Sequence, residues 1–296
     1  MIVNPESGRR RGRILAERAD KVLAFGSISS DVRLTEYPGH ATELCSSLNL
    51  ADYRGICIVG GDGTIHEVVN GLMNRNASTS PPLGLIPAGT GNSLCQQLGF
   101  EKPMDGLDPI LACQVRPLDL LRVRLNGAES YCMHMIGWGA AASIASRAEK
   151  MRWMGPGRYS LAALAEILIA KPMAASIIVD DEIIRNEFNL AIGCNTQQVG
   201  SGMKMAPMAS IGDGYVDLVL VRRVSRIQMV NLFRMVQTGA HVNLPYVECY
   251  RAKRFRIESA QPSNINLDGD VDFEKISTLE VEVVPHALEV FAGGSD

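Results

Sequence analysis

A glycine-rich segment, Gly60-Gly61-Asp62-Gly63-Thr64, lies between a short apolar run and a segment with helical spacing. Glycines let backbone amides approach a phosphate because no Cβ atom stands in the way. The N-terminus of the next helix adds N–H groups and a positive dipole end. An aspartate repels phosphate, so we expect Asp62 to hold a magnesium ion or to accept a proton from a hydroxyl nucleophile. A plain turn in which Asp62 only caps the helix is the alternative.

Two more glycine turns follow apolar runs, Asn4-Pro5-Glu6-Ser7-Gly8 and Ala88-Gly89-Thr90-Gly91-Asn92. The carboxyl ends of parallel strands meet at one edge of a sheet, so we expect all three turns to lie side by side. Arginines occupy positions 9–11, directly after the first turn. Together these features predict a polyphosphate site. For the arginines alone, a solvated basic surface is equally compatible with the sequence.

The elements that must carry these turns alternate between short apolar runs and helical patterns. This order predicts an α/β domain with a parallel sheet over residues 1–117. The predicted strands are Met1–Val3, Ile56–Val59 and Leu83–Ile86, and the predicted helices are Arg13–Ala24, Ile65–Met73 and Ser93–Leu98.

The pattern changes near Pro117, and residues 118–285 predict a second, mostly β domain. Asn126-Gly127, Asp180-Asp181 and Asp213-Gly214 are turn signals. No low-complexity linker separates the two domains, so we expect them to share a cleft. Predicted strands are 118–125, 176–179, 188–194, 216–221, 255–258 and 279–284, with helices at 140–151, 160–170 and 226–237.

Composition excludes several classes of protein. The 296 residues include 29 Lys or Arg and 32 Asp or Glu, which argues against a dedicated nucleic-acid binder, as does an aromatic content of 5%. Seven scattered cysteines without a CxxC motif predict reduced thiols and a cytoplasmic location. The start resembles no signal peptide, and the longest apolar run, Leu161–Ala170, is too short to span a bilayer. Any membrane contact is therefore expected to be peripheral; the oligomeric state stays open.

The three turns, with the segment from Gly60 to Gly71, resemble the diacylglycerol kinase catalytic-domain family of lipid kinases. That family includes diacylglycerol, sphingosine and ceramide kinases. The segment from Met205 to Asp217 is similar to a second-domain motif of the family. Three further segments resemble the sphingosine and ceramide kinase branch: Val224-Ser225-Arg226, Gly239-Ala240-His241, and the stretch from Glu149 to Tyr159. The resemblance covers nearly the whole chain.

The resemblance implies ATP in the cleft, a β-sandwich second domain that holds lipid, and a last strand within residues 286–296 that returns to the first domain. Asp62 and Asp270 are the implied catalytic residues, and the sequence does not rank them. Asp213 and Asp217 would take part in a magnesium or ordered-water network. The implied nucleotide-binding residues are Asn4, Ser7, Gly61, Asp62, Gly63, Thr64, Glu67, Thr90, Gly91, Asn92, Asp268 and Gly269, with Arg152 and Arg158 at the phosphates.

Two positions depart from the family pattern. Asp270 stands where the family usually has Glu, and its side chain is one methylene shorter. Ser143 stands where the sphingosine kinase branch usually has an Asp that can bind an amine, which favours a neutral headgroup. Trp138, Met154 and the Leu161–Ala170 segment are candidates for the wall of a lipid slot, with ordinary core as the alternative.

The predicted reaction is transfer of the γ-phosphoryl group of ATP to a primary hydroxyl of a membrane lipid, either a sphingoid base or ceramide. Diacylglycerol is the alternative lipid. An NAD kinase is a second possibility, because NAD kinases carry a similar glycine loop. A nucleotide-binding regulator without catalysis is a third, suggested only by Asp270 and Ser143.

Overall fold

The chain forms two compact units. A computed structural model describes residues 1–75, 80–151, 154, 157–200, 202–271 and 275–294, without the side chains of residues 9 and 158–160. Unit 1 consists of Met1–Asp119 together with the residues from His286 onward. Unit 2 consists of Leu120–Pro285.

Unit 1 has the predicted α/β architecture. Its strands are β1 (Ile2–Val3), β2 (Arg33–Leu34), β3 (Ile56–Gly60) and β4 (Leu83–Pro87). Its helices are α1 (Ser7–Arg10), α2 (Gly12–Phe25), α3 (His40–Ser47), α4 (Asp62–Met73), α5 (Ser93–Gln97) and α6 (Leu107–Leu111). The strands pair in parallel in the order β2-β1-β3-β4, so their carboxyl ends share one edge. The sequence patterns did not identify β2, because a two-residue strand leaves no periodicity, and they also missed the eight-residue helix α3.

Unit 2 has the predicted mostly β architecture. Its strands are β5 (Val115–Leu125), β6 (Ala128–Cys132), β7 (Met135–Gly139), β8 (Met173–Val179), β9 (Glu182–Cys194), β10 (Val216–Arg222), β11 (Val247–Ala252), β12 (Arg254–Ser263), β13 (Ile265–Leu267) and β14 (Ile276–Phe291). The first of these strands begins in unit 1 and the last ends there. Its helices are α7 (Ala140–Lys150), α8 (Arg158–Ile169) and α9 (Arg226–Val236), followed by a 3-10 turn at Ala240–Asn243. The main ladder is antiparallel, in the order β11-β10-β9-β8-β12-β14, and β7 pairs with both β9 and β13.

Two apolar clusters cover opposite faces of this ladder, because successive strand residues point to opposite sides. Leu220 belongs to one cluster, and its neighbours Val219 and Val221 belong to the other. The second cluster also contains residues of α9. That helix begins with a capping box, in which the N–H of Ser225 donates to Gln228 Oε1 at 2.9 Å and the N–H of Gln228 donates to Ser225 Oγ at 3.3 Å. Among the described residues, no helix is both long and apolar enough to cross a membrane.

The last strand, β14, is longer than the sequence predicted. The patterns indicated a strand at 279–284 and the resemblance implied a separate one within residues 286–296, but β14 runs without a break from Ile276 to Phe291. Its first part pairs with β12, and Val290 pairs in parallel with Leu83 of β4. At His286 the backbone turns to a φ of 50°, and its N–H donates to the buried Asp119 carboxylate at 2.7 Å.

Candidate active site

The three glycine turns follow β1, β3 and β4 and contact one another in unit 1. A Cβ atom on Gly8, which has a φ of 59°, would lie 2.1 Å from the carbonyl oxygen of Ala88. A Cβ atom on Gly89 would lie 2.6 Å from the Cα atom of Gly61. The Asn4 side chain donates from Nδ2 to Thr64 Oγ1 at 3.1 Å. The backbones thus meet at distances that only glycine allows, and the turns form one surface.

Asp62 joins two of these turns. It is the first residue of α4, and its Oδ1 atom accepts the N–H of Ser93, the first residue of α5, at 2.8 Å. Its Oδ2 atom lies 3.5 Å from Ser93 Oγ, and a Cβ atom on Gly91 would approach it to 2.7 Å. The carboxylate therefore binds the first N–H of the helix that follows the neighbouring turn. This arrangement fixes the half-buried side chain of Asp62 beside Gly91.

The Asn92 side chain shapes the third turn. Its backbone has a φ of 54°, and its Oδ1 atom accepts the N–H of Gly89 at 2.9 Å while Nδ2 donates to the Gly89 carbonyl at 2.9 Å. Thr90, between them, is exposed. A Cβ atom on Gly63, at the start of α4, would meet nothing within 4 Å. The start of α4 is therefore open to a ligand.

The residues next to this surface, in the first glycine turn and directly after it, bind groups of that same turn. Ser7 is the first residue of α1, and its N–H donates to the Asn4 carbonyl at 3.2 Å. Arg10 is exposed and pairs with Glu6 at 3.0 Å. The Arg11 Nε atom donates back to the Gly8 carbonyl at 3.0 Å. Both arginines therefore bind groups of their own turn, as expected for a solvated basic surface.

Glu67 lies in α4, but its carboxylate is bound to another helix. Its Oε2 atom accepts the N–H of Ala41, in the first turn of α3, at 3.1 Å. Thr42 Oγ1 donates to the Glu67 carbonyl at 2.9 Å. The motif glutamate, expected at the nucleotide, therefore holds the N-terminus of α3 against α4. An acid near a helix N-terminus also complements the helix dipole.

Asp268, Gly269 and Asp270 form a tight turn in unit 2. Asp268 and Gly269 have φ values of 53° and 101°. Leu267 and Asp270, on either side of them, exchange two backbone hydrogen bonds across the turn. The buried Asp268 carboxylate accepts the N–H groups of three consecutive residues, 133–135, each at 2.9 Å. These bonds occupy both Asp268 oxygens, so this residue, expected at the nucleotide, shapes the backbone before β7. Asp270 is exposed.

A pair of acids, Asp213 and Asp217, lies at the start of β10. Asp213 Oδ1 accepts the N–H of Tyr215 at 3.0 Å, and Arg251 donates to Oδ2 of Asp213. The Oδ2 atom of Asp217 is buried and has no hydrogen-bond partner among the described residues. Burial, together with the charge of Asp213, raises the pKa of Asp217 to about 6, and Arg251 opposes this rise. Asp217 is therefore a destabilised carboxylate whose charge a cation would offset.

The residues expected at the lipid are spread over unit 2. Trp138 is 1% exposed and packs within the core cluster that contains Phe188, so it follows the core alternative and not the slot wall. Ser143 is half-buried on α7. Met154 is exposed. Arg152 lies outside the described residues, and Arg158 is the first residue of α8.

The sequence analysis missed one exposed feature of unit 1. Tyr37 and His40 stack with ring centroids 4.6 Å apart and planes 8° apart, in the segment between β2 and α3. The signal available in the sequence was a pair of aromatic residues, three positions apart, on either side of Pro38-Gly39. Patterns of apolar periodicity do not register such a pair, because neither residue belongs to an apolar run.

Comparison with known proteins finds matches along most of the chain. Residues 1–123 match the diacylglycerol kinase catalytic domain, and residues 134–292 match the YegS C-terminal NAD kinase beta sandwich-like domain. The diacylglycerol kinase of Mycobacterium tuberculosis is 33% identical over 241 residues, covering 79% of this chain and 75% of that protein. Sphingosine kinase 1 of Rattus norvegicus is 26% identical over an alignment of 350 positions, which covers 100% of this chain and 91% of that protein. The crystal structure of a diacylglycerol kinase from Bacillus anthracis shares the fold, with a TM-score of 0.73 at 19% identity over 99% of this chain and 95% of that chain.

These matches extend along both units, and one of the relatives is a third identical over most of the chain. The chain therefore belongs to the diacylglycerol kinase catalytic-domain family of lipid kinases.

Proposed function

We propose that this lipid kinase uses ATP and transfers its γ-phosphoryl group to a primary hydroxyl of a membrane lipid. The observation that carries the proposal is the contact of the three glycine turns, with Asp62 fixed between two of them. The open position at Gly63 offers a phosphate the N-terminus of α4, a 12-residue helix. The other residues of this proposed phosphate-binding surface are Asn4, Thr64, Thr90, Gly91 and Asn92.

Asp62 is the catalytic base in this proposal. A primary alcohol has too high a pKa to ionise at neutral pH, so phosphoryl transfer depends on positioning, with a carboxylate accepting the proton late. The N–H of Ser93 orients the Asp62 carboxylate through Oδ1, which directs Oδ2 toward the surface at Gly91. Asp268 is unsuited to the role, because three N–H groups already bind its oxygens. Exposed Asp270 is the second candidate.

Asp213 and Asp217 would hold the magnesium ion. Mg²⁺ prefers oxygen ligands, and the buried Oδ2 atom of Asp217 has no partner among the described residues, so the donor set fits this ion. When bound, Mg²⁺ would supply positive charge that offsets these carboxylates. Arg251 already offsets part of the charge through Asp213.

The lipid would approach through unit 2, and α8 supplies a surface for membrane contact. Leu161, Leu164 and Leu168 are 42%, 52% and 56% exposed, and their spacing of three and four residues places them on one side of the helix. The buried Glu166 accepts Arg147 Nε at 2.9 Å, which anchors α8 to α7. An exposed apolar stripe on an anchored helix is typical of a membrane-contact surface.

The test is phosphoryl transfer from γ-labelled ATP with Mg²⁺ to micelles that contain diacylglycerol, sphingosine, phytosphingosine or ceramide, with NAD as a further acceptor. We expect the labelled phosphoryl group to be transferred to one class of lipid. Label in NAD with none in lipid would show an NAD kinase, and ATP binding without any transfer would show a regulator.

A Ser143→Asp variant refines this test. A carboxylate at the half-buried position on α7 would pair with the amine of a sphingoid base, so we expect its activity to shift toward sphingosine. Ser143→Ala is the control, because it removes the hydroxyl without adding charge. An unchanged preference in Ser143→Asp would exclude Ser143 from headgroup recognition.

A further inference from the structure

An exposed aromatic stack lies in unit 1, outside the residues that the glycine turns contribute. The rings of Tyr37 and His40 are 4.6 Å apart and nearly parallel. Tyr37 is 49% exposed. Phe, Trp and Tyr together make up only 5% of this chain, so an exposed tyrosine ring stacked on a neighbouring ring is an uncommon feature of its surface.

Hydrogen bonds hold both rings in place. The Tyr37 hydroxyl donates to Glu43 Oε2 at 2.7 Å, and the N–H of Glu36 donates to His40 Nδ1 at 3.1 Å. His40 is also the first residue of α3, whose next N–H is bound by Glu67 of α4. A ligand that stacks here would therefore find a platform that is already ordered, with little further entropy to lose.

The platform lies beside the phosphate surface. Leu34 of β2 is opposite Val3 of β1 in a parallel pair, and the N–H of Thr35 donates to the Val3 carbonyl at 2.8 Å. The segment from Thr35 to His40 therefore leaves the sheet at the same edge as the turn that begins at Asn4. Neighbouring strands are about 4.8 Å apart, so the platform begins one strand beyond that turn, a distance that a nucleoside can bridge.

We propose that the exposed ring of Tyr37 stacks on the base of the nucleotide whose phosphates bind the glycine turns, an inference that rests on the proposed use of ATP. Aromatic rings stack on every base through its π-face and do not read its edge. The enzyme should therefore bind purine nucleotides in general and discriminate weakly between adenine and guanine. Glu67 becomes a positioning residue, because it holds the helix that begins at His40.

The test compares a nucleotide with a ligand that lacks a base. Binding of ADP and of tripolyphosphate, each with Mg²⁺, is measured by calorimetry on the full chain and on Tyr37→Ala. We expect Tyr37→Ala to weaken ADP binding about tenfold or more and to leave tripolyphosphate binding unchanged, since one base stack accounts for that order of affinity. Tyr37→Phe keeps the ring but loses its bond to Glu43, so it should bind ADP more tightly than Tyr37→Ala.

Phe25→Ala is the matched control, because Phe25 is 95% exposed in the same unit and lies at the end of α2. Equal ADP affinity in Tyr37→Ala and the parent chain would overturn the platform, and so would equal weakening of ADP and tripolyphosphate. Failure of the parent chain to bind either ligand would instead refute the proposed use of ATP. Thermal unfolding of each variant verifies that it is folded.

Discussion

Replacing Asp217 by asparagine should stabilise the protein at neutral pH. Burial raises the pKa of Asp217 from 3.8 to about 6, a difference of about 2 units. At 1.36 kcal/mol per unit, keeping this carboxylate ionised in the folded state costs about 3 kcal/mol above pH 6. Asp217 is partly exposed, and solvent screening reduces the figure to about 1–2 kcal/mol. An asparagine at this position would carry no charge and would avoid this cost.

The sign of the pH dependence follows from the same shift. The pKa of this acid is higher in the folded than in the unfolded chain, so its contribution to stability is complete below pH 3.8 and is lost as the pH rises through 6. The advantage of Asp217→Asn should therefore be greatest at pH 8 and fall to about a third of that value at pH 4.5.

The assay is thermal unfolding at both pH values, in EDTA and in Mg²⁺. In EDTA at pH 8 we expect Asp217→Asn to raise the Tm by several degrees, about 2–4 °C per kcal/mol for a chain of this size. Added Mg²⁺ should stabilise the parent chain and not the variant. Asp181→Asn is the control, because the Asp181 side chain is 95% exposed. A lower Tm for Asp217→Asn in EDTA at pH 8 would refute the reasoning.

Three further predictions test other parts of the structure. Asp62→Asn should lower turnover at least about 100-fold while leaving the Tm within a few degrees, and a larger loss in Asp270→Asn would assign the base to Asp270 instead. Arg75→Ala should cost about 2 kcal/mol in urea unfolding, because Arg75 Nη1 donates to three carbonyl groups at the end of α3, at distances of 2.6 to 3.1 Å. Leu164→Glu should reduce sedimentation with anionic vesicles severalfold, whereas Ile183→Glu on β9, at a similarly exposed position, should not; equal loss in both would exclude α8 as the contact surface.

The glycine turns were predictable because their chemistry is local. A turn such as Gly60–Thr64 has its glycines, its strand and its helix in adjacent positions, and parallel pairing then places it beside Ala88–Asn92. The sequence also indicated Asp62 as a candidate for the chemistry. It could not reveal that the partner of Asp62 is Ser93, because that contact joins two separate turns.

Other features depended on contacts between distant residues. Glu67 and Asp268 belong to the recognisable motifs, yet each binds backbone N–H groups of another element. Strand β7 escaped detection because it is buried throughout and contains Gly137 and Gly139, which interrupt any alternating pattern. Leu161–Leu168 carries leucines that a helical pattern would assign to a core, but several of them face solvent. Helical spacing shows that apolar residues lie on one side of a helix, but it does not show whether another element packs against that side.

The uninterrupted course of β14 has a consequence for how the protein is made. Residues 1–119 contain most of unit 1, but its sheet also includes Val290, far along the chain. During synthesis the first α/β segment leaves the ribosome long before this strand, with the edge of β4 still unpaired. Such an edge is open to pairing with other chains. The kinase should therefore acquire its complete α/β unit only after β14 has been synthesised, and a chain cut before His286 should aggregate instead of yielding an active fragment.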